Sequence, residues 1–264
     1  MVGENKFPRK RWRLLIGIAC LLVTIVGASV LFVSEFAQRQ AKASPGNHLI
    51  ATTPTVKLTP KVQSQLTPQP LFSDSFVDNS NGWYTSQEAG YTRTLSNGLL
   101  TLSGTNHTTL VESLPTSNTF NDFSITVTFT LLQADNHDSA GLYLRGDSNL
   151  DHDYRVDING DNTYAISKES LDESHNLKTT PLVSPTHTPS LRPVGQQNTL
   201  TVMMKGSTLT MTLNGTQVKS VTDTDYTHGQ IALFVDQGST STTVTATFSS
   251  IVIWPVPEES SDAP

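Results

Sequence analysis

The apolar residues divide the chain into two parts of different character. Leu14–Val33 is an unbroken apolar run of 20 residues that contains no charged side chain. A helix of that length, at about 1.5 Å per residue, spans about 30 Å, which is the thickness of the hydrocarbon layer of a membrane. We therefore predict a transmembrane helix over residues 14–36, with the lipid bilayer as its partner.

From residue 71 onward, apolar and polar positions alternate along the chain. The alternation is clearest in four segments, Phe123–Leu131, Leu209–Leu213, Ile231–Val235 and Val244–Phe248. A period of two is typical of strands that bury one face, and pairs such as Asn214-Gly215 favour tight hairpins between them. The pattern predicts an all-β fold, a jelly-roll β-sandwich of about a dozen antiparallel strands over residues 71–257.

Residues 37–70 separate these two parts and contain five prolines among Thr, Ser and Gln residues. A segment of this composition cannot bury enough apolar surface to offset the entropy that is lost on ordering. We predict a disordered linker there, and an acidic tail over residues 258–264.

The charges around the apolar run predict its orientation in the membrane. Five cations precede it, namely Lys6, Arg9, Lys10, Arg11 and Arg13. Because cytoplasmic flanks are rich in Lys and Arg, we predict a basic cytoplasmic tail over residues 1–13 and an extracellular β domain on a single-pass cell-membrane protein. The alternative is a cleaved signal peptide, since Ala41-Lys42-Ala43 suits cleavage after Ala43, which would give a secreted domain.

Charge and cysteine content narrow the classes of partner. Residues 1–70 carry a net charge of +7 and residues 71–264 a net charge of −13. An acidic domain does not favour nucleic acid, but it suits cations or neutral ligands such as sugars. The only cysteine, Cys20, lies in the apolar run, so the outer domain has no disulfide and no thiol chemistry.

Three segments of the outer domain carry a resemblance to a known superfamily. They are LFSDSFVDNSNGW (Leu71–Trp83), SAGLYLRGDSNLDHDYRVDINGDNTYAISK (139–168) and NTLTVMMKGSTLTMTLNGTQVKSVTDTDYTHGQIALFV (198–235). In this order they resemble the strands and turns of the concanavalin A-like lectin/glucanase superfamily. The resemblance is greatest to the family-16-like or 3-keto-disaccharide-hydrolase-like branch, which occurs in tethered bacterial proteins. It implies the jelly-roll fold, and its motifs are structural rather than catalytic.

The catalytic members of this superfamily place paired Glu residues two to five positions apart on one strand, because an acid and a nucleophile must flank one glycosidic bond. Here the glutamates of the outer domain are scattered, at Glu88, Glu112, Glu169 and Glu173. We therefore predict a non-catalytic, lectin-like module for carbohydrate or another cell-surface ligand, with no catalytic residue. One alternative is an extracellular hydrolase of glycosides or keto-sugars, and another is a structural or adhesive wall module.

A polar face is the main candidate for ligand binding. Asp153, Arg155 and Asp157 share one side of a predicted strand, and Tyr143 and Arg145 are expected to join them from the neighbouring strand. The alternative is a solvent face on which charges pair.

Three aromatic residues add further expectations. Trp83 and Tyr84 are candidates for stacking on a sugar ring, whereas the family resemblance implies instead that Trp83 is a structural plug. Trp254, at the end of the last strand, is predicted to lie in the core.

An acidic loop is the candidate for a metal. Asp147, Asn149, Asp151 and Asp153 place oxygen ligands at every second position, like the start of a calcium loop. The sixth position holds His152 and the twelfth Ile158, so the loop is not an EF-hand. A loose Ca²⁺ site and a solvated acidic turn are the two interpretations, and no other cofactor is predicted.

Overall fold

The computed structural model describes residues 68–256, and every regular element in this range is a β-strand. The predicted cytoplasmic tail, transmembrane helix, most of the linker and the acidic tail lie outside the described residues. The strands are β1 (Phe72–Asp74), β2 (Ser86–Glu88), β3 (Tyr91–Ser96), β4 (Leu99–Gly104), β5 (Thr109–Ser113), β6 (Phe123–Gln133), β7 (Ser139–Gly146), β8 (Asp153–Asn159), β9 (Thr163–Leu171), β10 (Leu177–His187), β11 (Gln197–Lys205), β12 (Thr208–Leu213), β13 (Thr216–Thr222), β14 (Gln230–Asp236) and β15 (Val244–Pro255). Between residues 68 and 256 there is no helix long and apolar enough to cross a membrane.

The strands form two antiparallel sheets. The nine-stranded sheet has the order β13-β12-β11-β6-β15-β4-β3-β2, with β1 paired to β15. The six-stranded sheet has the order β10-β9-β8-β7-β14-β5. This arrangement confirms the predicted antiparallel β-sandwich.

The core lies between the sheets, where the apolar side of each alternating strand is buried. Phe123, Ile125 and Val127 of β6 face Val156 and Ile158 of β8 across this layer, and all five side chains belong to one buried cluster. Burying a side chain of this size is worth about 1.5–3 kcal/mol, so the period of two read along the sequence is also the main source of stability. The polar residues between them are therefore directed to the two outer faces of the sandwich.

Two of the three hairpins with an Asn-Gly turn have the backbone that the sequence predicts. The third, at Asn159-Gly160 between β8 and β9, has its positive φ at Asn162 instead. The φ angles are 54° and 72° at Asn97 and Gly98, and 49° and 84° at Asn214 and Gly215. Positive φ at both central residues matches the right-handed twist of the flanking strands, so each pair fixes the register of its hairpin.

Trp83 is a structural plug rather than a surface ring. Its side chain is buried, its indole N–H donates to Asp74 Oδ2 at 2.6 Å, and its ring packs against Phe72 and Phe76 at centroid distances of 6.1 and 5.4 Å. This placement corrects the expectation that Trp83 stacks on a sugar and agrees with the alternative.

The expectation for Trp254 is also wrong, because this side chain is 38% exposed. Its neighbours Ile251 and Ile253 face the core, and alternation along β15 turns Trp254 outward.

Candidate functional site

The predicted polar face lies on the outer side of the six-stranded sheet. Tyr154, Val156 and Ile158 of β8 face the core, so the residues between them point the opposite way. Strand order then brings acidic residues of β9 and β14 to the same surface. We name this set of residues the carboxylate face, and it comprises Asp153, Arg155, Asp157, Glu169 and Asp236. Asp153, Arg155 and Glu169 are buried, while the side chains of Asp157 and Asp236 keep some contact with solvent.

Arg155 is the centre of the carboxylate face. Its Nε lies 2.9 and 3.1 Å from the two carboxylate oxygens of Asp157, and its Nη2 donates to Asp157 Oδ1 at 2.6 Å and to Asp236 Oδ2 at 2.8 Å. Glu169 Oε1 is 3.7 Å from Nη1. Burial alone would lower the pKa of Arg155, but the charges of Asp157, Asp236 and Glu169 raise it well above the ordinary value.

Two aromatic rings support the guanidinium from within the sheet face. Arg155 Cζ lies 4.3 Å from the centroid of Phe234 and 5.7 Å from that of Tyr143. Gly141 stands between Asp157 and Phe234 in the strand register, and a Cβ there would be 1.9 Å from the carbonyl oxygen of Val156. Only glycine permits this approach of β7 to β8. The position of Arg155 is therefore fixed by packing against Phe234 and Tyr143 as well as by charge.

Two carboxylates face each other at one end of the carboxylate face. Asp153 of β8 is directly opposite Glu169 of β9. The nearby Tyr226 donates its hydroxyl to the backbone oxygen of Glu169 at 2.7 Å, and burial, followed by the charge of Asp153, raises the pKa of Tyr226 to about 12. This end of the face therefore places two acidic side chains side by side.

Arg145 does not join this face, which corrects the prediction. Its guanidinium donates to the backbone oxygens of Asn121, Gly206 and Tyr226 at 2.6–3.0 Å and pairs with Asp122 Oδ1 at 3.0 Å. The φ angle of Arg145 is 52°, and the register of β7 against β14 shifts at this point. The bulge interrupts the alternation, so Arg145 ties loops together instead of facing a ligand.

Tyr84 lies at a different place from the other predicted ligand residues. Its backbone N–H donates to Glu112 Oε1 on β5 at 3.1 Å, and its side chain is 47% exposed.

The acidic loop places only part of the predicted metal set together. Asp147, Asp151 and His152 each offer one possible metal-ligand atom, and these three atoms lie within 4.8 Å of one another. Asp153 belongs instead to the carboxylate face. Asn149 contributes its backbone N–H to Asp147 Oδ1 at 3.2 Å. The Asp147 carboxylate also accepts the backbone N–H of Asp151 at 3.1 Å, so it caps the turn by hydrogen bonds from the chain itself. The calcium site stays a prediction.

Sequence reasoning missed several members of the site. Glu169 was read as a scattered residue, and Asp236, Ser139 and Phe234 were not singled out, although Ser139 Oγ donates to Asp157 Oδ1 at 2.8 Å. The one local signal was alternation along β9, where Ser167 and Glu169 fall on the side opposite Ile166.

One protein-family model matches this chain. The model for 3-keto-alpha-glucoside-1,2-lyase-like domains matches residues 67–253, which is more than half of the chain. The chain belongs to this family. The match covers nearly all of the described β-sandwich, including the carboxylate face, while no curated protein sequence gives a significant match.

Solved structures share the fold of this family member at low sequence identity. A protein of unknown function with a galectin-like fold from Bacillus subtilis has a TM-score of 0.53 and 12% identity, over 73% of this chain and 100% of that one. A glycoside hydrolase family 16 endo-glucanase from Bacteroides ovatus has a TM-score of 0.51 and 11% identity, over 69% and 99%. The kappa-carrageenase from Pseudoalteromonas carrageenovora has a TM-score of 0.50 and 14% identity, over 75% and 99%. These likenesses support the β-sandwich fold.

Proposed function

We propose that the β domain binds a carbohydrate on the carboxylate face and holds it without cleaving it. The family description names a lyase of a 3-keto-glucoside, and the carrageenase structure that shares the fold was solved with an oligotetrasaccharide of kappa-carrageenan. Four carboxylates against one guanidinium leave the face with a formal charge of −3. A surface rich in hydrogen-bond acceptors suits the hydroxyl groups of a neutral sugar, which can donate to them.

The observation that carries this proposal is the pairing of Arg155 with Asp157 and Asp236. Contacts of 2.6 and 2.8 Å to the guanidinium fix the positions of these two carboxylates. Both side chains are already engaged as acceptors by Arg155, so neither is placed to donate a proton to a leaving group as a general acid. Their side chains remain 12% and 13% accessible, which leaves oxygen surface for a ligand.

A sugar-active enzyme is the second candidate, and one observation favours it. Asp153 and Glu169 lie opposite one another on adjacent strands, whereas the sequence argument considered pairs within one strand only. Residues directly opposite on adjacent strands have Cβ atoms about 4.5–5.5 Å apart, so the two acidic side chains lie on the same side of the sheet as a pair, although both are buried. The assay is the release of product from a sugar or keto-sugar substrate. If product is released, and both Asp153→Asn and Glu169→Gln abolish the release, the enzyme proposal would replace the binding proposal.

The binding proposal predicts that Asp157→Asn weakens glycan binding about tenfold or more. A hydrogen bond to a charged acceptor contributes about 1.5–3 kcal/mol, and tenfold corresponds to about 1.4 kcal/mol. The measurement is the affinity of the purified full-length protein for a panel of neutral glycans, glucose-based oligosaccharides included. Asp172→Asn, in the exposed turn between β9 and β10, is the matched control and should bind like the unaltered protein. Equal affinity of both variants would exclude the carboxylate face as the site.

We infer that the chain presents this domain at the cell surface. The support is the uncharged run Leu14–Val33, the five cations before it and the proline-containing residues 37–70 after it. Cell fractionation should then place the intact chain in the membrane fraction, with the β domain open to added protease on whole cells. A soluble product that begins at Ser44 would instead establish cleavage after Ala43.

A further inference from the structure

A largely buried ion pair lies at the edge of the sandwich opposite β10. Arg93 of β3 and Glu112 of β5 meet where both sheets end, with Arg93 Nε 2.8 Å from Glu112 Oε2 and side-chain exposures of 14% and 6%. Both strands direct these residues to the inner side, next to apolar core positions such as Leu102 and Leu110. Burying a carboxyl group and a guanidinium is costly, and apolar residues would fill this position at no such cost. The carboxylate face makes no use of the pair.

The ion pair fixes two tyrosine rings. Arg93 Cζ lies 5.5 Å from the centroid of Tyr84 and 5.2 Å from that of Tyr91. The guanidinium cannot swing away, because it also donates to the carbonyl oxygen of Val111 at 3.0 Å. Glu112 holds the Tyr84 backbone in the same place through the 3.1 Å hydrogen bond from its N–H. Both rings are therefore oriented before any ligand arrives.

The outer part of this arrangement is open to solvent. Tyr84 is one of the few large apolar side chains among residues 68–256 that are strongly exposed. The Tyr91 hydroxyl donates to the exposed carboxylate of Glu88, and this hydrogen bond raises the pKa of Tyr91. An exposed ring beside a carboxylate and a phenol presents one apolar surface and two hydrogen-bonding groups.

We propose that Tyr84, Tyr91 and Arg93 form a second carbohydrate site, which we name the tyrosine platform. A sugar ring stacks its slightly positive C–H groups on the negative face of Tyr84, and its hydroxyl groups bond to Glu88 and the Tyr91 hydroxyl. Tyrosine offers a large rigid contact area at small entropic cost, and here Arg93 reduces that cost further. The proposal shares its ligand class with the proposed function, but it concerns a separate site at the free edge formed by β2, β3 and β5.

The test compares two substitutions at Tyr84 in the full-length protein. Tyr84→Ala removes the ring and should weaken glycan affinity about tenfold, whereas Tyr84→Phe keeps the ring and should stay within about twofold of the unaltered protein. Leu132→Ala removes another exposed apolar side chain and is the matched control. Thermal unfolding of each variant verifies that the fold is intact, which is expected because Tyr84 is exposed.

The outcomes separate this site from the carboxylate face. Weaker binding by Tyr84→Ala with normal binding by Tyr84→Phe supports the platform. Unchanged binding by Tyr84→Ala, while Asp157→Asn binds weakly, overturns the platform and leaves the proposed function standing. The reverse pattern keeps the platform and excludes the carboxylate face. Equal loss in Tyr84→Ala and Tyr84→Phe contradicts stacking, and failure of the unaltered protein to bind any glycan, or capture of a protein ligand instead, refutes both sites.

Discussion

Arg155→Met is expected to lower the free energy of unfolding by about 3–5 kcal/mol, because it leaves Asp157, Asp236 and Glu169 without the cation that they surround. For a domain of this size, such a loss lowers the unfolding temperature by roughly 6–20 °C. The measurement is denaturant unfolding of the purified protein, followed by circular dichroism. Arg155→Lys should fall between the two proteins, since a lysine cannot make the paired contacts with Asp157.

Two comparisons identify the charge as the cause. Arg192→Met removes an exposed arginine and should change stability by less than about 0.5 kcal/mol. Adding Asp157→Asn and Asp236→Asn to Arg155→Met should recover part of the loss, because the uncompensated carboxylates are then gone. If Arg155→Met is as stable as the unaltered protein, the acidic residues separate freely when the guanidinium is absent, and Arg155 does not hold the face together.

Under the proposed function, the same pairing would connect the stability of the domain with ligand binding. A face of acceptors is useful to a sugar only if the acceptors stay in place, and unpaired neighbouring carboxylates would repel one another. Arg155 resolves this conflict by holding Asp157 and Asp236 while lying on Phe234 and Tyr143. The acidic surface is thus rigid before binding, which reduces the entropic cost of recognition.

The sequence was sufficient for those features that depend on neighbouring residues along one strand. Asp153, Arg155 and Asp157 share a face because a strand alternates with a period of two, and this holds wherever the strand lies in the sheet. The hairpins at Asn97-Gly98 and Asn214-Gly215 were predictable for the same reason, since two adjacent residues determine the turn. The same rule applied to Ile251 and Ile253 would have placed Trp254 outside the core.

Features that depend on strand order were beyond the sequence. Asp236 reaches Arg155 only because β14 lies beside β7, although the two residues are 81 positions apart. The predicted position of Arg145 was wrong because a positive φ angle and a shift of register interrupt β7 there. Neither feature can be predicted from the local sequence pattern. The Arg93–Glu112 pair was missed because each residue lies in a strand whose alternation predicts hydrophobic side chains around it and gives no sign of an opposite charge.

Glu112 makes the stability of the domain depend on pH in a direction opposite to that of an ordinary ion-paired carboxylate. Burial, only partly offset by Arg93 and by the Tyr84 N–H, raises the pKa of Glu112 from 4.5 to about 7. Between these two values the folded protein holds a proton that the unfolded chain has released. Its contribution to stability is therefore full below about pH 4.5 and is lost as the pH rises through 7.

Glu112→Gln removes this titration while it keeps the shape of the side chain. The free energy of unfolding of the Gln variant, minus that of the unaltered protein, should increase by up to about 3 kcal/mol from pH 4.5 to pH 8, at about 1.4 kcal/mol for each unit of pKa shift. Urea unfolding at a series of pH values measures the difference. Glu173→Gln, in an exposed turn, controls for the general loss of one carboxylate. A difference that stays constant with pH would mean that Arg93 keeps Glu112 ionised in the folded protein, and burial would then not be the dominant influence at this edge.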